Sequence, residues 1–381
     1  MDYNNYILLV ADEAVKQVKL NGYMEAGHNG PYYDDETPIR NSAHWIAIFE
    51  YLYKKTNNTE YLECIKILAE YLYDKRPQGK VAAYHCRNKK GKDFVNGTIG
   101  AAWVIEGLIC AAKVLGEDKY YNLAVNVFKK HEYSYTYHVW NRVEIDGTVL
   151  GYDNTYNHQM WLAAAGAEII NHKEDKEIKK QIEDFLDASE KTRLFQVSAE
   201  GVVRHFAYIA DTQKHKKDYF KREIKEQLYR FLKKPDMQYK EEGYHYFNMY
   251  GFAILHEVFS NHSFFSCDKF KRALKYTLNL DNLNLLDSRS PMEDRTGLAQ
   301  KYKPTTNLYA YGYNSPAFEL PYIIKTFAPE KLTCDLIQNL WDSQVNETGN
   351  GSDLFAKNTE DAVTLKARIY EFVKMLEFEE K

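Results

Sequence analysis

The chain has 381 residues, of which 45% are hydrophobic and 27% are charged, as expected of a globular protein with a full apolar core. The net charge is −4 and the pI is near 6.3, which gives no reason to expect binding to nucleic acid or to an anionic membrane. No stretch approaches the roughly 18 apolar residues of a membrane span, so insertion into a membrane is not expected.

Helical periodicity dominates the sequence, and strand-like alternation is sparse. In chain order, the predicted helices span residues 2–20, 42–53, 60–73, 98–115, 118–130, 157–170, 174–188, 219–232, 246–259, 269–276, 315–327 and 361–376. Two remaining stretches, 131–155 and 280–312, are predicted to be irregular. Both are long for compact loops, which favours a functional role.

The predicted helices alternate in character along the chain. Helices that are apolar or rich in small residues on nearly every side begin near Ser42, Thr98, Asn157, Tyr246 and Ser315. Charged, amphipathic helices begin near Glu60, Asp118, Glu174 and Tyr219. Because an apolar helix is buried and an amphipathic helix covers it, the alternation predicts an all-α toroid with an inner and an outer ring. No linker composition interrupts the chain, so we expect one domain over residues 1–381.

Polar residues gather immediately before the predicted inner helices. The five stretches that carry them are residues 26–45, 83–103, 152–169, 241–250 and 307–321. The third, YDNTYNHQMWLAAAGAEI, places an acid, two asparagines and a histidine directly before and within the start of an alanine-rich helix. In a toroid the loops that enter the inner helices open at one end of the barrel. We therefore expect these residues to meet in one concave site.

Carboxylates are the first candidates for catalysis in this site. Paired acids cleave glycosidic bonds, since one protonates the leaving oxygen while the other activates water or attacks. We therefore expect a glycoside hydrolase in which Asp153 is the general acid or base and either Asp34 or Asp35 is its partner. Glu36 and Glu319 are further candidates. The alternative for each acid is structural, and Asp153 in particular could cap the following helix.

Other polar and aromatic side chains in or beside the loops are expected to bind the substrate. They are His28, Arg40, His44, His85, Trp103, Tyr152, Asn157, Arg204, Tyr244, His245, Asn314 and Glu319, and His205, Arg87 and Arg295 lie near them. The chain contains 32 tyrosines, whose rings stack on the apolar faces of sugars. Arginine forks suit carboxylates, which favours an acidic, uronic sugar, although each arginine could instead form a structural ion pair.

A second mechanism is open at the same positions. The clusters Asn157–His158 and Tyr244–His245–Tyr246 resemble the asparagine–histidine and tyrosine elements of toroidal polysaccharide lyases. His158 or His245 would then abstract a proton from C5 of a uronate, in a lyase, an epimerase or an isomerase. A third hypothesis, from another class, is a non-catalytic glycan-binding protein, because a fold alone does not establish activity.

The remaining motifs argue against cofactors. The five cysteines are scattered and include no CxxC pair, which favours reduced thiols and a cytoplasmic location without structural zinc. No HxxxH or HxH spacing supports a metal site, and no nucleotide-binding or serine-hydrolase signature is present. We therefore expect no cofactor. The aromatic content is compatible with a homodimer but does not decide it.

Five longer segments resemble a known family. They are AGHNGPY, ETPIRNSAHW, NGTIGAAWVIEGL, YNHQMWLAAAG and YNSPAFE. These segments, spread over residues 26–319, are similar to the signature segments of agl-cluster proteins of the AglQ type. That family belongs to the six-hairpin glycosidase superfamily and is related at the level of the fold to unsaturated glucuronyl hydrolases. The resemblance implies an (α/α)6 toroid that acts on an oligosaccharide or glycan containing hexuronic acid, and it assigns no catalytic residue.

Overall fold

The computed structural model describes residues 2–209, 236–287, 307, 309–311, 313–345 and 361–377, together with the isolated positions 217, 220, 221, 224 and 228. The predicted helix 219–232 therefore falls almost entirely outside the described residues. So do Arg295 and most of the predicted irregular stretch 280–312.

Within the described residues, six helices form a closed inner ring. They are α2 (Ile39–Thr56), α4 (Ile99–Leu115), α6 (Tyr156–His172), α8 (Asp236–Phe259), α11 (Pro316–Phe327) and α14 (Ile369–Glu377). Each packs against the next, and α14 packs against α2 to close the ring. All five tryptophans of the chain are buried, so large aromatic rings fill the core between the helices.

Six further described helices lie outside this ring and alternate with it along the chain. They are α1 (Tyr3–Asn21), α3 (Thr59–Asp74), α5 (Asp118–Lys129), α7 (Lys176–Lys191), α9 (Asp268–Thr277) and α12 (Cys334–Gln344). Two shorter α-helices are α10 (Leu280–Asp287) and α13 (Ala362–Ala367), and three 3-10 helices span Gly30–Tyr32, Ser263–Ser266 and Pro329–Lys331. The predicted all-α toroid with inner and outer rings is confirmed, and the inner and outer helices form an (α/α)6 arrangement.

Local sequence accounts for where the helices begin and how closely they pack. The Asp175 side chain caps α7 by accepting hydrogen bonds from the backbone N–H groups of Glu177 and Ile178. In the inner ring, a Cβ added at Gly107 of α4 would lie 2.9 Å from the Cα of Ala43 in α2. Small residues therefore let the inner helices approach each other at backbone distance.

The structure differs from the predicted elements in several places. Residues 131–155 contain a three-stranded antiparallel sheet of β1 (Tyr133–Ser134), β2 (Val139–Val143) and β3 (Val149–Tyr152), in the order β1-β2-β3. Short strands with few alternating residues leave little periodic signal, which explains why this stretch reads as irregular.

Two helical predictions are also corrected, and two helices were missed. Helix α8 begins at Asp236 rather than at residue 246, because the polar residues before 246 continue the helix instead of forming a loop. The predicted helix 361–376 is two helices, α13 and α14, with Arg368 at the break. Helices α10 and α12 were not predicted. Within the described parts of the chain, every helix is too short or too polar to span a lipid bilayer.

Candidate active site

A cavity of about 250 Å³ opens where the loops before α2, α4 and α6 meet the first half of α8. Its wall is polar and aromatic. The loop before α2 contributes Asn29 and Tyr32, and the loop before α4 contributes Arg87 and Asn96. This placement agrees with the expectation that polar residues before the inner helices meet at one end of the barrel.

Asp153 and His158 form a hydrogen-bonded pair in the cavity wall. The Asp153 Oδ2 atom lies 2.6 Å from Nδ1 of His158, and Asp153 Oδ1 accepts a hydrogen bond of 3.0 Å from the backbone N–H of Thr155. Burial by itself raises the pKa of Asp153, but the neighbouring His158, Arg142 and the backbone donor together lower it to about 2. Asp153 is therefore a carboxylate near neutral pH. Because Nδ1 of His158 bonds to it, Nε2 is the ring nitrogen that remains for contact with a molecule in the cavity.

Backbone conformation positions this pair at the start of α6. Asp153 lies just before the helix and His158 is in its first turn, so the chain folds back to let the two side chains meet. Gly97, in the loop before α4, packs directly behind them with φ +64°. A Cβ added there would lie 2.2 Å from Asp153 Oδ2 and 2.5 Å from Nδ1 of His158, so the pair fits only because residue 97 is glycine.

His205 is brought to the same cavity by backbone pairing. The N–H of Tyr156 donates to the His205 carbonyl at 2.9 Å, and Thr155 forms an antiparallel bridge with Phe206. The backbone N–H of His205 and the guanidinium of Arg204 donate to the two carboxylate oxygens of Glu241. Arg204 thus pairs with an acid of α8 and holds the His205 segment.

The carboxylate of Asp34 is buried in a cluster of donors. It accepts hydrogen bonds from Arg87 (3.1 Å), Lys92 (2.8 Å) and Asn29 (3.2 Å), so its oxygens are fully engaged. Asp35, the next residue, is exposed and lies outside the cavity wall. The structure therefore does not bring Asp34 or Asp35 to Asp153 as a free carboxyl partner.

Trp103, Asn157 and Tyr244 lie in the cavity wall, as the sequence predicted of substrate-binding residues. Arg40 lies behind the wall, with its guanidinium 4.3 Å from the centroid of the Trp103 ring and 3.4 Å from Glu36 Oε1. Burial raises the pKa of Glu36 to about 7, because its effect is larger than the opposing effect of the Arg40 charge.

His44 and His245 are buried in the core and are corrections to the predicted site. His44 stacks on Tyr370, with ring centroids 4.1 Å apart, and burial lowers its pKa well below the ordinary value. His245 Nε2 lies 2.9 Å from Thr277 Oγ1, and its Nδ1 accepts from the N–H of Val203. Burial lowers the pKa of His245 to about 3, so it is a neutral structural side chain.

The other predicted binding residues lie outside the cavity wall that the structure describes. They are His28, His85, Tyr152, Asn314 and Glu319. Asn314 and Glu319 both bond to the buried Arg368, which makes them core residues. His28 stacks on a neighbouring tyrosine ring, and His85 bonds to the carbonyl of Arg87.

Four charged residues of the wall were not singled out from the sequence: Lys92, Asp93, Arg142 and Lys240. Lys92 and Asp93 lie within the stretch 83–103, where a run of charges reads as a solvated surface. Arg142 lies in β2, which was not predicted. Lys240 lies in the first turns of α8, upstream of the predicted helix start, so no pattern pointed to it.

The closed inner ring, the outer helices and the cavity at the loop end define the six-hairpin glycosidase fold. Cellobiose 2-epimerase from Bacillus thermoamylovorans B4167 has this fold, with a TM-score of 0.61, 10% identity and coverage of 97% of this chain and 99% of that chain. Unsaturated glucuronyl hydrolase from Bacillus sp. GL1 has a TM-score of 0.56, 10% identity and coverage of 97% and 95%. A polysaccharide lyase has a TM-score of 0.55, 11% identity and coverage of 99% and 98%.

Sequence similarity then gives the family. Archaeal glycosylation protein Q of Haloferax volcanii is 30% identical over 386 aligned positions, covering 97% of this chain and 96% of that protein. The chain belongs to the family of archaeal glycosylation protein Q. No protein-family model matches the sequence.

Proposed function

We propose that the protein is a carbohydrate epimerase or isomerase in which His158 moves a proton at a carbon atom of the substrate. The observation that carries this proposal is the Asp153–His158 pair in the cavity wall. An imidazole whose Nδ1–H donates to a carboxylate is held in one tautomer and offers Nε2 as a proton acceptor. The carboxylate also stabilises the imidazolium that forms when the proton is taken.

The same geometry makes Asp153 a poor general acid, which was its expected role. With a pKa of about 2, its carboxyl group carries no proton to donate near neutral pH. Both of its oxygens accept hydrogen bonds. We therefore assign proton transfer to His158, and we assign to Asp153 the role of positioning the His158 ring.

The reaction takes the following course. Nε2 of His158 accepts the proton from the carbon next to a carbonyl or carboxylate group, and the C–H electron pair moves toward that group to give an enolate. Return of a proton to the opposite face of the same carbon gives the epimer. Where the neighbouring group is a carbonyl and the deprotonated carbon carries a hydroxyl, protonation of the carbonyl carbon, together with transfer of the hydroxyl proton to the carbonyl oxygen, gives the isomer. His205, which lies in the same wall, supplies the returning proton.

The substrate is an oligosaccharide or glycan that contains an acidic sugar. The partly exposed rings of Tyr32 and Tyr313 in the wall offer flat faces for a sugar ring, and the exposed Asn154 offers an amide for its hydroxyls. The name of the relative, archaeal glycosylation protein Q, and the epimerase and lyase among proteins of the same fold support a glycan substrate.

Glycoside hydrolysis is the second candidate function, and one observation favours it. The carboxyl group of Glu36, with a pKa raised to about 7 by burial, is partly protonated near neutral pH and could act as a general acid. The Glu36 carboxyl group contacts the guanidinium of Arg40, and the same guanidinium lies 3.4 Å from Oδ1 of the wall residue Asn29.

Proton NMR in deuterated water separates these functions. Purified protein is incubated with acidic oligosaccharides, saturated and Δ4,5-unsaturated, and with neutral disaccharides. Incorporation of deuterium at carbon without cleavage, lost in His158→Asn, is the expected result. A new reducing end would instead indicate hydrolysis, and a new vinyl signal would indicate a lyase. Binding without any turnover would favour the non-catalytic glycan-binding protein.

A further inference from the structure

Lys240 places a positive charge in the cavity beside a group of tyrosines. Its Nζ atom lies 5.6 Å from the centroid of the Tyr32 ring, 5.8 Å from that of Tyr244 and 5.9 Å from that of Tyr309. The hydroxyl oxygens of Tyr32 and Tyr244 are 2.9 Å apart. The ammonium group thus borders a patch of rings whose hydroxyls can also form hydrogen bonds.

The other cations of the described wall are paired with carboxylates. Arg87 donates to Asp34 and to Asp93, and Lys92 donates to Asp34. Arg142 lies 3.4 Å from Asp93. Each of these three cations therefore has a carboxylate partner within the protein, although they share the two carboxylates of Asp34 and Asp93.

Lys240 has no such partner. Among the described residues it makes no ion pair with a carboxylate, and the neighbouring charge that lowers its pKa is another cation, Lys92. Both ammonium groups lie over the same ring, since Lys92 Nζ is 4.9 Å from the centroid of Tyr32. A desolvated ammonium group beside a second one is costly unless an anion joins them.

We propose that Lys240, with Lys92 beside it, binds an anionic group of the substrate, either a carboxylate or a phosphate, against the ring of Tyr32. This inference rests on the proposed function only in taking the cavity to be the sugar-binding site. It makes Lys240 a specificity-determining residue. An anion there would form a charge-assisted hydrogen bond with Lys240 and restore the charge balance of the wall.

Titration of the site adds a second prediction about the same anion. Burial, followed by the charge of Lys92, lowers the pKa of Lys240 to about 8. The other titratable groups that face it are Tyr32, Tyr244 and Tyr309. Burial raises the pKa values of Tyr32 and Tyr244 well above the ordinary value, so neither titrates near this pH. Anion binding should therefore weaken as the pH rises through about 8, because Lys240 loses its charge.

The test is calorimetric titration of the full chain with methyl β-glucuronide, glucose 1-phosphate and neutral methyl β-glucoside. The variants are Lys240→Met, which removes the charge, and Lys240→Arg, which keeps it. Lys66→Met removes an exposed lysine of α3 as the matched control. We expect Lys240→Met to weaken binding of an anionic probe by about tenfold to a hundredfold, with binding of the neutral glucoside unchanged. Lys240→Arg should retain most of the preference for the anion.

The comparison between probes identifies the source of the anion. Tighter binding of the glucuronide assigns a carboxylate, and tighter binding of the sugar phosphate assigns a phosphate. Equal binding of the anionic and neutral probes by the wild-type protein would overturn the proposal. So would wild-type affinity for the anion in Lys240→Met, or failure of both anionic probes to bind.

The pH dependence of the wild-type protein provides a check that needs no variant, should Lys240→Met fail to fold. Anion affinity that does not change from pH 7 to about pH 9 would also contradict the proposal. Failure of the proposed catalytic function is distinguishable from failure of the anion site. His158→Asn should lose proton exchange and still bind the anionic probe, so the two proposals are tested by different readouts.

Discussion

Asp153 and His158 are joined by a hydrogen bond, and we propose that the carboxylate fixes the orientation of the imidazole. A single acid at the mouth of a helix can cap the helix, donate a proton or hold a base, and its neighbours decide among these roles. Here the 2.6 Å contact with Nδ1 of His158 supports the proposal that Asp153 holds a base. The residue types are visible in the sequence, but the contact that assigns their roles is visible only in the structure.

Removing the charge of Asp153 should lower turnover while leaving the fold intact. In Asp153→Asn the amide no longer stabilises the imidazolium of His158 or enforces its tautomer, so we expect a loss in kcat of about a hundredfold or more. Steady-state kinetics on the substrate found by NMR measures the loss, and circular dichroism checks the fold. Asp35→Asn, which changes an exposed neighbouring acid outside the cavity wall, is the control. An equal loss in the control would contradict the assignment.

Asp153 should also make folding stability depend on acid pH. Its pKa falls from 3.8 to about 2 on folding, so the ionised form stabilises the protein above the unfolded value, and this contribution is lost as the pH falls toward 2. Since one unit of pKa corresponds to about 1.4 kcal/mol, we expect about 2 kcal/mol of the unfolding free energy to be at stake. Urea denaturation between about pH 5 and about pH 2 should show a flatter profile for Asp153→Asn than for wild type. Parallel profiles would refute this.

At the scale of elements, the loops before the inner helices carry the site, and one of them is shaped around a glycine. Which loops would meet could be predicted from the alternation of buried and covering helices. The residues that α8 contributes were predicted only in part, because the helix begins at Asp236 and its earlier turns also reach the cavity. Tyr244 was predicted, whereas Lys240 was missed. Tyr244 and His245 are consecutive in a helix, so they point in different directions, and only Tyr244 reaches the wall.

Substituting Gly97 should disturb the Asp153–His158 pair from behind. In Gly97→Ala the new Cβ collides with both side chains and the residue keeps a φ of +64°, so we expect a loss of activity together with about 1–3 kcal/mol of stability. Gly91→Ala in the same loop is the matched control. Gly91 also has a positive φ, +82°, but an added Cβ meets nothing within 4 Å. Kinetics and thermal unfolding of both variants provide the measurement. If Gly91→Ala lost as much activity as Gly97→Ala, backbone strain rather than the collision with Asp153 and His158 would explain the loss.

At the scale of the whole molecule, a buried cluster ties the last two inner helices together. The guanidinium of Arg368 bonds to Glu319 of α11 and to Glu371 of α14, and it donates to Asn314 at 3.2 Å. The sequence predicted Asn314 and Glu319 as site residues, because polar residues before and within an inner helix look the same whether they face the cavity or the core. Their partner Arg368 lies about fifty residues further along, beyond the reach of any local pattern.

Breaking this cluster should destabilise the ring without altering the cavity chemistry. Arg368→Met leaves two buried carboxylates without their cation, and we expect a loss of about 3–5 kcal/mol in the free energy of unfolding. Urea denaturation measures it. Lys191→Met, which removes an exposed ion pair with Asp187, should cost less than about 1 kcal/mol. A comparable effect of the two substitutions would show that the Arg368 cluster contributes little.

The two ends of the ring meet at Asp361, whose carboxylate accepts hydrogen bonds from the backbone N–H groups of His28 and Gly30, each at 3.0 Å. The segment that carries Asn29 and Tyr32 of the cavity is thus anchored by a residue more than 300 positions later in the chain. On the ribosome, the segment with Asn29 and Tyr32 emerges long before this anchor, which is made only after more than 300 further residues have been translated. A nascent chain should therefore be unable to form the complete cavity wall until Asp361 has left the ribosome.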